Sequence, residues 1–252
     1  MFCMIELSTL LFIYLSTMVA IASFKKDTSI ANFTWGGGVL LVTLYTFIRI
    51  STFLPQQILV TTLITLWALR LIAYIYKRYD GKDPRFATWK WQGMKTLFIN
   101  IMWVFGQLIM IAIMSYPAVL INIYNMPHAL TLFDICGLAV WILGFYWETV
   151  SDNQLFAFIK NPANKGHVLQ TGLWRYSRHP NYFGESVMWH GIFLLALSTP
   201  HGLTAIITPL TITFFLVFIT GVPLLEKAMA HNVEYQEYKR KTSMFIPWWP
   251  KV

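Results

Sequence analysis

Between Gly172 and Glu185 the chain reads Gly-Leu-Trp-Arg-Tyr-Ser-Arg-His-Pro-Asn-Tyr-Phe-Gly-Glu, the densest polar run in a very apolar sequence. Arg175, Arg178 and His179 supply donors and positive charge, while Tyr176, Asn181, Tyr182 and Glu185 supply hydroxyl, amide and carboxylate groups. Pro180 suits the first turn of a helix, where its missing N–H costs nothing. A helix starting there offers the backbone N–H groups of Asn181, Tyr182 and Phe183 beside Arg175, Arg178 and His179. That arrangement binds phosphates and other anions. Cations alone would equally mark the edge of a membrane segment. Asn181, Tyr182 and Glu185, entering the next apolar run, favour a site.

A second constellation lies upstream. Glu148 and Asp152 are four residues apart, so both carboxylates project from one helix face, with Ser151 beside them. In a soluble cleft two carboxylates would suggest glycoside hydrolysis. At a membrane boundary they hold arginines or bind ribose and amide groups. Arg70 and Tyr74 share a helix face by the same spacing. Arg70 falls roughly two turns inside an apolar run, where an unpaired arginine costs several kcal/mol. It therefore needs a carboxylate such as Glu148 or Asp152, a ligand phosphate, or a water-filled cavity. Tyr235 and Tyr238 sit in a basic amphipathic tail that ends in Phe245-Ile-Pro-Trp-Trp-Pro. An interfacial helix with an aromatic anchor explains that tail, and the tyrosines could also close over a ligand. His179, His190 and His201 lack metal-ligand spacing, so no metal is expected. No Gly-x-Ser-x-Gly elbow is present.

The elements that position these residues are apolar. Hydrophobic residues make up 56% of the chain, charged residues 12%, and mean hydropathy is +0.54, the composition of an integral membrane protein. Seven runs approach the ~20 residues that span the hydrocarbon core: 5–24, 35–54, 57–76, 97–121, 130–147, 182–199 and 203–225. Seventeen of the nineteen Lys and Arg follow the odd-numbered runs, whereas the intervening loops 51–56, 122–129 and 200–202 carry none. The positive-inside rule then predicts an all-α bundle of seven transmembrane helices, N-terminus outside and C-terminus cytoplasmic. The net charge of +8 is thereby assigned to lipid headgroups, not nucleic acid. We expect one integral membrane domain over 1–252, no obligate protein partner, and a bacterial inner membrane as the simplest location. The first run lacks a basic n-region and a small-x-small cleavage site and reads as a retained helix. Trp35-Gly-Gly-Gly38 reads as close helix packing. Cys3 and Cys136 form neither a disulfide framework nor a metal motif. The segment 77–95, with Trp89 and Trp91, reads as an interfacial loop.

Trp147-Glu-x-x-Ser-Asp152, the Gly172–Glu185 stretch, and Glu234-Tyr-x-x-Tyr238 through Ile246-Pro247 together resemble the steroid 5-alpha-reductase superfamily, most closely its bacterial branch. The resemblance covers about 67–252. Its Arg-His-Pro-x-Tyr-x-Gly core is shared with isoprenylcysteine carboxyl methyltransferases and sterol reductases. It implies a seven-helix bundle that takes NADPH from the cytoplasm and a lipid-like enone from the bilayer, transferring hydride to an activated C=C bond. By resemblance, Arg70, Ser151, Asp152, Arg175, Tyr176, Asn181 and Glu185 line the cofactor site. Tyr74, Arg178, His179, Tyr182, Tyr235 and Tyr238 are further candidates. The alternative is S-adenosylmethionine-dependent methyl transfer to a lipid or prenyl thioether. Steroid reductases of this family bind the substrate carbonyl with a glutamate on the second helix and a tyrosine on the third. Here the second helix has no acidic residue, and the tyrosine position falls on Trp67. Gln56, Gln57 and Trp67 are the nearest catalytic candidates, and an unsaturated lipid other than a steroid is the expected substrate.

Overall fold

A chain in lipid must satisfy its backbone polar groups internally, and helices do this segment by segment. The computed structural model describes residues 2–25, 30–78, 93–124 and 129–251. Residues 79–92, with the expected interfacial tryptophans Trp89 and Trp91, lie outside the described residues. Among the described residues there is no strand. The described residues form nine α-helices, in order α1 (Phe2–Lys25), α2 (Ala31–Arg49), α3 (Pro55–Arg78), α4 (Gly93–Ile123), α5 (Leu132–Lys160), α6 (Pro180–Ala196), α7 (Ile207–Phe214), α8 (Val222–Ala228) and α9 (Val233–Lys241).

Among the described residues five stretches are long and apolar enough to cross a membrane: Ile5–Lys25, Pro55–Arg78, Val104–Ile123, Leu132–Lys160 and Gly202–Ala228. The second and sixth apolar runs, which α2 and α6 cover only in part, are not among them. At 17 residues α6 is short of the usual span. Two other boundaries differ from expectation. The fifth run, read as 130–147, continues as helix to Lys160, so Glu148, Ser151 and Asp152 ride on a regular helix rather than at its frayed end. The seventh run is not one regular helix. A 3₁₀ turn (Gly202–Ile206) leads into α7, a π turn (Phe215–Ile219) follows, and the chain breaks at Gly221 before α8.

The chain divides into two compact units, Met1–Thr131 with Ala196–Ala205, and Leu132–Leu195 with Ile206–Val252. In the first, the glycines of α2 admit its neighbours. A Cβ at Gly37 would strike the Tyr14 ring of α1, one at Gly36 would stand 3.0 Å from Leu71 of α3, and one at Gly38 would collide with Ile111 of α4. The Tyr14 hydroxyl donates to the Thr34 carbonyl at 2.8 Å. Leu15, Val42 and Ile111 form the buried apolar centre, and Trp35 packs on Trp67 with centroids 5.0 Å apart.

In the second unit, α5 and α6 run antiparallel at backbone contact. A Cβ at Gly144 would stand 2.6 Å from the Gly184 carbonyl oxygen, and one at Gly184 2.8 Å from that of Gly144. Gly137 and Gly191 repeat the pattern at 2.8 and 2.7 Å. Small residues permit such approach where lipid gives no hydrophobic drive to association. The contact fixes how the polar end of α5 faces the start of α6.

Candidate functional site

Three segments of the second unit build the polar cluster: the end of α5, the stretch 172–185, and the C-terminal strap from α8 onward. Gly172 opens the middle segment at φ +62°, a conformation that suits glycine. Leu173 N donates to Gln154 Oε1 at 3.0 Å, and the Trp174 indole donates to the Ser151 carbonyl at 3.0 Å. Both contacts tie the loop to α5. His179 then precedes α6, its backbone N–H donating to Ser177 Oγ at 3.1 Å. Phe183 N donates to the His179 carbonyl at 3.1 Å, so it is a helix hydrogen bond and not one of the N–H groups expected to face a ligand.

Asn181 Nδ2 donates to Asp152 Oδ1 at 3.0 Å. A carboxylate only accepts, which sets the orientation of the amide and turns its oxygen away. That oxygen, Asn181 Oδ1, is buried and accepts no hydrogen bond. Glu148, Ser151, Asp152 and Glu185 are all buried near the same α5–α6 contact. Ser151 spends its hydroxyl on the Trp147 carbonyl at 2.6 Å, inside its own helix.

Arg178 is committed inward. It is 7% exposed, its Nε and Nη2 donate to Glu226 Oε1 at 3.0 and 2.6 Å, and its Nη1 donates to the Lys239 and Thr242 carbonyls at 3.0 and 2.8 Å. Lys239 Nζ takes the other Glu226 oxygen at 2.7 Å. The strap closes on the same loop through its backbone, Arg178 N donating to Ser243 O at 2.8 Å and Trp248 N to Tyr176 O at 2.9 Å. Ser177 Oγ donates to Phe245 O at 2.8 Å. The Tyr238 hydroxyl donates to the Trp174 and Ser177 carbonyls. Tyr235 and Tyr238 are buried, and burial pushes the Tyr235 phenol up to about 12 and raises that of Tyr238 as well.

His179 is buried with neither ring nitrogen hydrogen-bonded. Its ring stacks on Tyr182, centroids 5.5 Å apart. Nε2 lies 3.8 Å from Glu226 Oε1, beyond a hydrogen bond but within its field. Burial holds the imidazole below its ordinary range, a shift that Glu226 opposes and the neighbouring Arg178 reinforces. Arg175, by contrast, is exposed, and Tyr176 lies half-buried edge-on to Trp249.

The remaining candidates belong to the first unit. The Arg70 guanidinium lies over the Tyr74 ring, 5.4 Å from its centroid, as their shared face predicts. Gln57 Oε1 accepts from Thr52 N at 3.1 Å and Leu54 N at 2.9 Å, and its Nε2 donates to the Ile121 and Asn122 carbonyls at 3.4 and 3.3 Å. It brackets the α2–α3 turn onto α4. Gln56 donates to Ser198 Oγ, and Trp67 is buried against Trp35. Sequence reasoning overlooked Glu226. Its signal is a lone carboxylate closing the seventh apolar run directly before Lys227.

The profile of a family described as a protein of unknown function (DUF1295) matches residues 18–242. Over 139 residues, half of this chain, the sequence is 27% identical to the protein-S-isoprenylcysteine O-methyltransferase of Saccharomyces cerevisiae, covering 54% of that protein. Over 212 residues, 73% of the chain, it is 22% identical to an uncharacterised protein of Schizosaccharomyces pombe, covering 61% of it. These matches thus span between half and two thirds of the curated relatives' length. No solved structure matches the chain significantly. With nearly the whole sequence inside the profile, the chain belongs to the DUF1295 family of the steroid 5-alpha-reductase-like superfamily.

Proposed function

We propose that the protein is a membrane-embedded NADPH-dependent reductase acting on an activated C=C bond of a lipid-like substrate other than a steroid. The observation that carries this reading is the Asp152–Asn181 pair. It leaves one buried amide oxygen with no donor, beside carboxylates on two helices locked at backbone distance. Carboxylate and amide acceptors held rigidly in this way suit ribose hydroxyls and a carboxamide N–H. Exposed Arg175 suits a phosphate. The bound nicotinamide would supply the hydride.

The chain's own part is binding and orientation. Asp152, Asn181 and Glu185 accept from the polar edge of the cofactor, with Tyr176 and Tyr182 as flanking rings. Arg178 acts as the strut that holds the loop and strap together rather than as a phosphate ligand. Gln57 is spent on backbone groups, which leaves the proton donor to the substrate carbonyl unassigned. Arg70 and Tyr74 join the proposal on the resemblance alone. In this reading the helices form seven crossings with the cofactor side cytoplasmic in a bacterial inner membrane, following the distribution of Lys and Arg.

A second reading, methyl transfer from S-adenosylmethionine to a lipid-like acceptor, is favoured by the isoprenylcysteine methyltransferase relative. Thermal stability of the detergent-purified protein with NADPH, NADH or S-adenosylmethionine separates the two. A ligand at a hundred times its dissociation constant adds about 2.7 kcal/mol. A shift with NADPH alone supports reduction, a shift with S-adenosylmethionine alone supports methyl transfer, and no shift with any of them removes both.

A further inference from the structure

The C-terminal strap carries two features that holding the loop does not use. Trp248, Trp249 and Ile246 are 70%, 71% and 63% exposed. Lys239, Arg240, Lys241 and Lys251 are exposed as well, and Lys251 N donates to the Lys241 carbonyl at 2.8 Å, folding the last cation back onto the α9 group. No Asp or Glu occurs from Lys239 to Lys251. Of the nearest acids, Glu226 holds Arg178 and Lys239, Glu234 receives Gln170 and lies 3.2 Å from His167, and Glu237 is exposed on α9.

We infer that this strap docks onto anionic lipid headgroups of the surrounding bilayer and that docking stiffens the cofactor-side loop. Three arguments identify the occupant. The part of the strap beyond α8 follows directly from Gly202–Ala228, a stretch long and apolar enough to cross the membrane, so it emerges at the bilayer surface. Exposed indoles settle at headgroup depth. The adjoining cations, with no acid among them, complement a negative surface. The link to the site is made by hydrogen bonds: Ser243 O, Phe245 O and Trp248 N pair with Arg178 N, Ser177 Oγ and Tyr176 O. Whatever immobilises the strap therefore immobilises 176–178.

The test needs no substrate and no cofactor, so it stands or falls separately from the reductase reading. Amide hydrogen exchange is measured on the full chain in lipid nanodiscs of phosphatidylcholine, and in discs containing phosphatidylglycerol. Exchange at 243–251 and 176–178 slows in the anionic discs. Each basic residue is worth about fivefold, the equivalent of about 1 kcal/mol per Lys or Arg at an anionic surface. Arg240→Gln/Lys241→Gln/Lys251→Gln abolishes the difference while leaving exchange in phosphatidylcholine discs unchanged. Should that variant misfold, concentrated salt on the unaltered protein must remove the difference instead. Equal exchange in the two disc types overturns the inference, as does protection that survives both the triple substitution and salt. Protection reproduced by inorganic phosphate in phosphatidylcholine discs also overturns it, by showing a free anion to be sufficient.

Discussion

Arg178 and Glu226 meet in a buried ion pair, Nη2 to Oε1 at 2.6 Å, joining the loop before α6 to the helix that ends the seventh apolar run. Their side chains are 6% and 14% exposed, and the remaining guanidinium donors go to carbonyls of the strap. Removing one partner of a buried pair costs about 3–5 kcal/mol, because the other charge is left unpaired. Arg178→Ala should therefore lower the midpoint of thermal unfolding strongly and expose the strap to protease. It should weaken NADPH and NADH binding alike. A selective loss of NADPH with unchanged stability would instead make Arg178 a reader of the 2′-phosphate.

The α5–α6 glycines make a separate prediction. A methyl group at Gly144 or Gly184 meets backbone atoms, which cannot rotate away, so the helices must part. Overpacking of this kind costs about 1–3 kcal/mol, and it displaces Asn181 from Asp152. Gly106→Ala in α4 is the control, since a Cβ there meets nothing within 4 Å, and alanine gains about 0.5–1 kcal/mol over glycine in a helix. Thermal unfolding of Gly144→Ala and Gly106→Ala should move in opposite directions.

The glycine pairs also mark what was legible in the sequence. The apolar runs read out as helices, because hydropathy over twenty residues is a local quantity. The polar clusters at 148–152 and 172–185 lie on adjoining elements for the same kind of reason: short spacing puts Glu148 and Asp152 on one face. Gly137 and Gly144, and again Gly184 and Gly191, are each seven residues apart, a repeat visible in the sequence whose meaning needs the partner helix. Arg178 is the converse case. Its type and neighbours suggest a phosphate, but the competing carboxylate lies 48 positions away, and pairing at that range is decided by tertiary packing. The break at Gly221 escaped the hydropathy reading because a π turn changes helix phase without changing composition.

Asn181 gives the sharpest test of ligand contact. Replacing it with Ala removes the buried acceptor oxygen and the hydrogen bond to Asp152 Oδ1, while the helix start at Pro180 is untouched. A hydrogen bond to a neutral ligand group is worth about 0.5–1.5 kcal/mol, so cofactor affinity measured by calorimetry should fall about three- to tenfold. Asn181→Asp, which sets a second carboxylate beside Asp152, should weaken NADPH further through charge repulsion. A cationic cofactor would be retained or tightened by that same substitution, which makes the pair of variants a direct reading of cofactor charge.

His179 sets the pH response. Burial depresses its pKa in the folded state below the ordinary value of 6.5, and the groups around it are Glu226, Arg178 and the stacked Tyr182. The unfolded chain thus binds a proton at this position more readily than the folded one, and stability rises with pH through that window. The contribution is complete above about pH 6.5, the unfolded value, and is lost as pH falls towards the folded pKa. Unfolding midpoints recorded between pH 5 and 7.5 should show this slope in the unaltered protein and a flatter profile in His179→Phe, which keeps the ring stacked on Tyr182 but cannot take the proton. An unchanged slope in the variant would mean that another group governs acid sensitivity, and that the imidazole takes up its proton equally in both states.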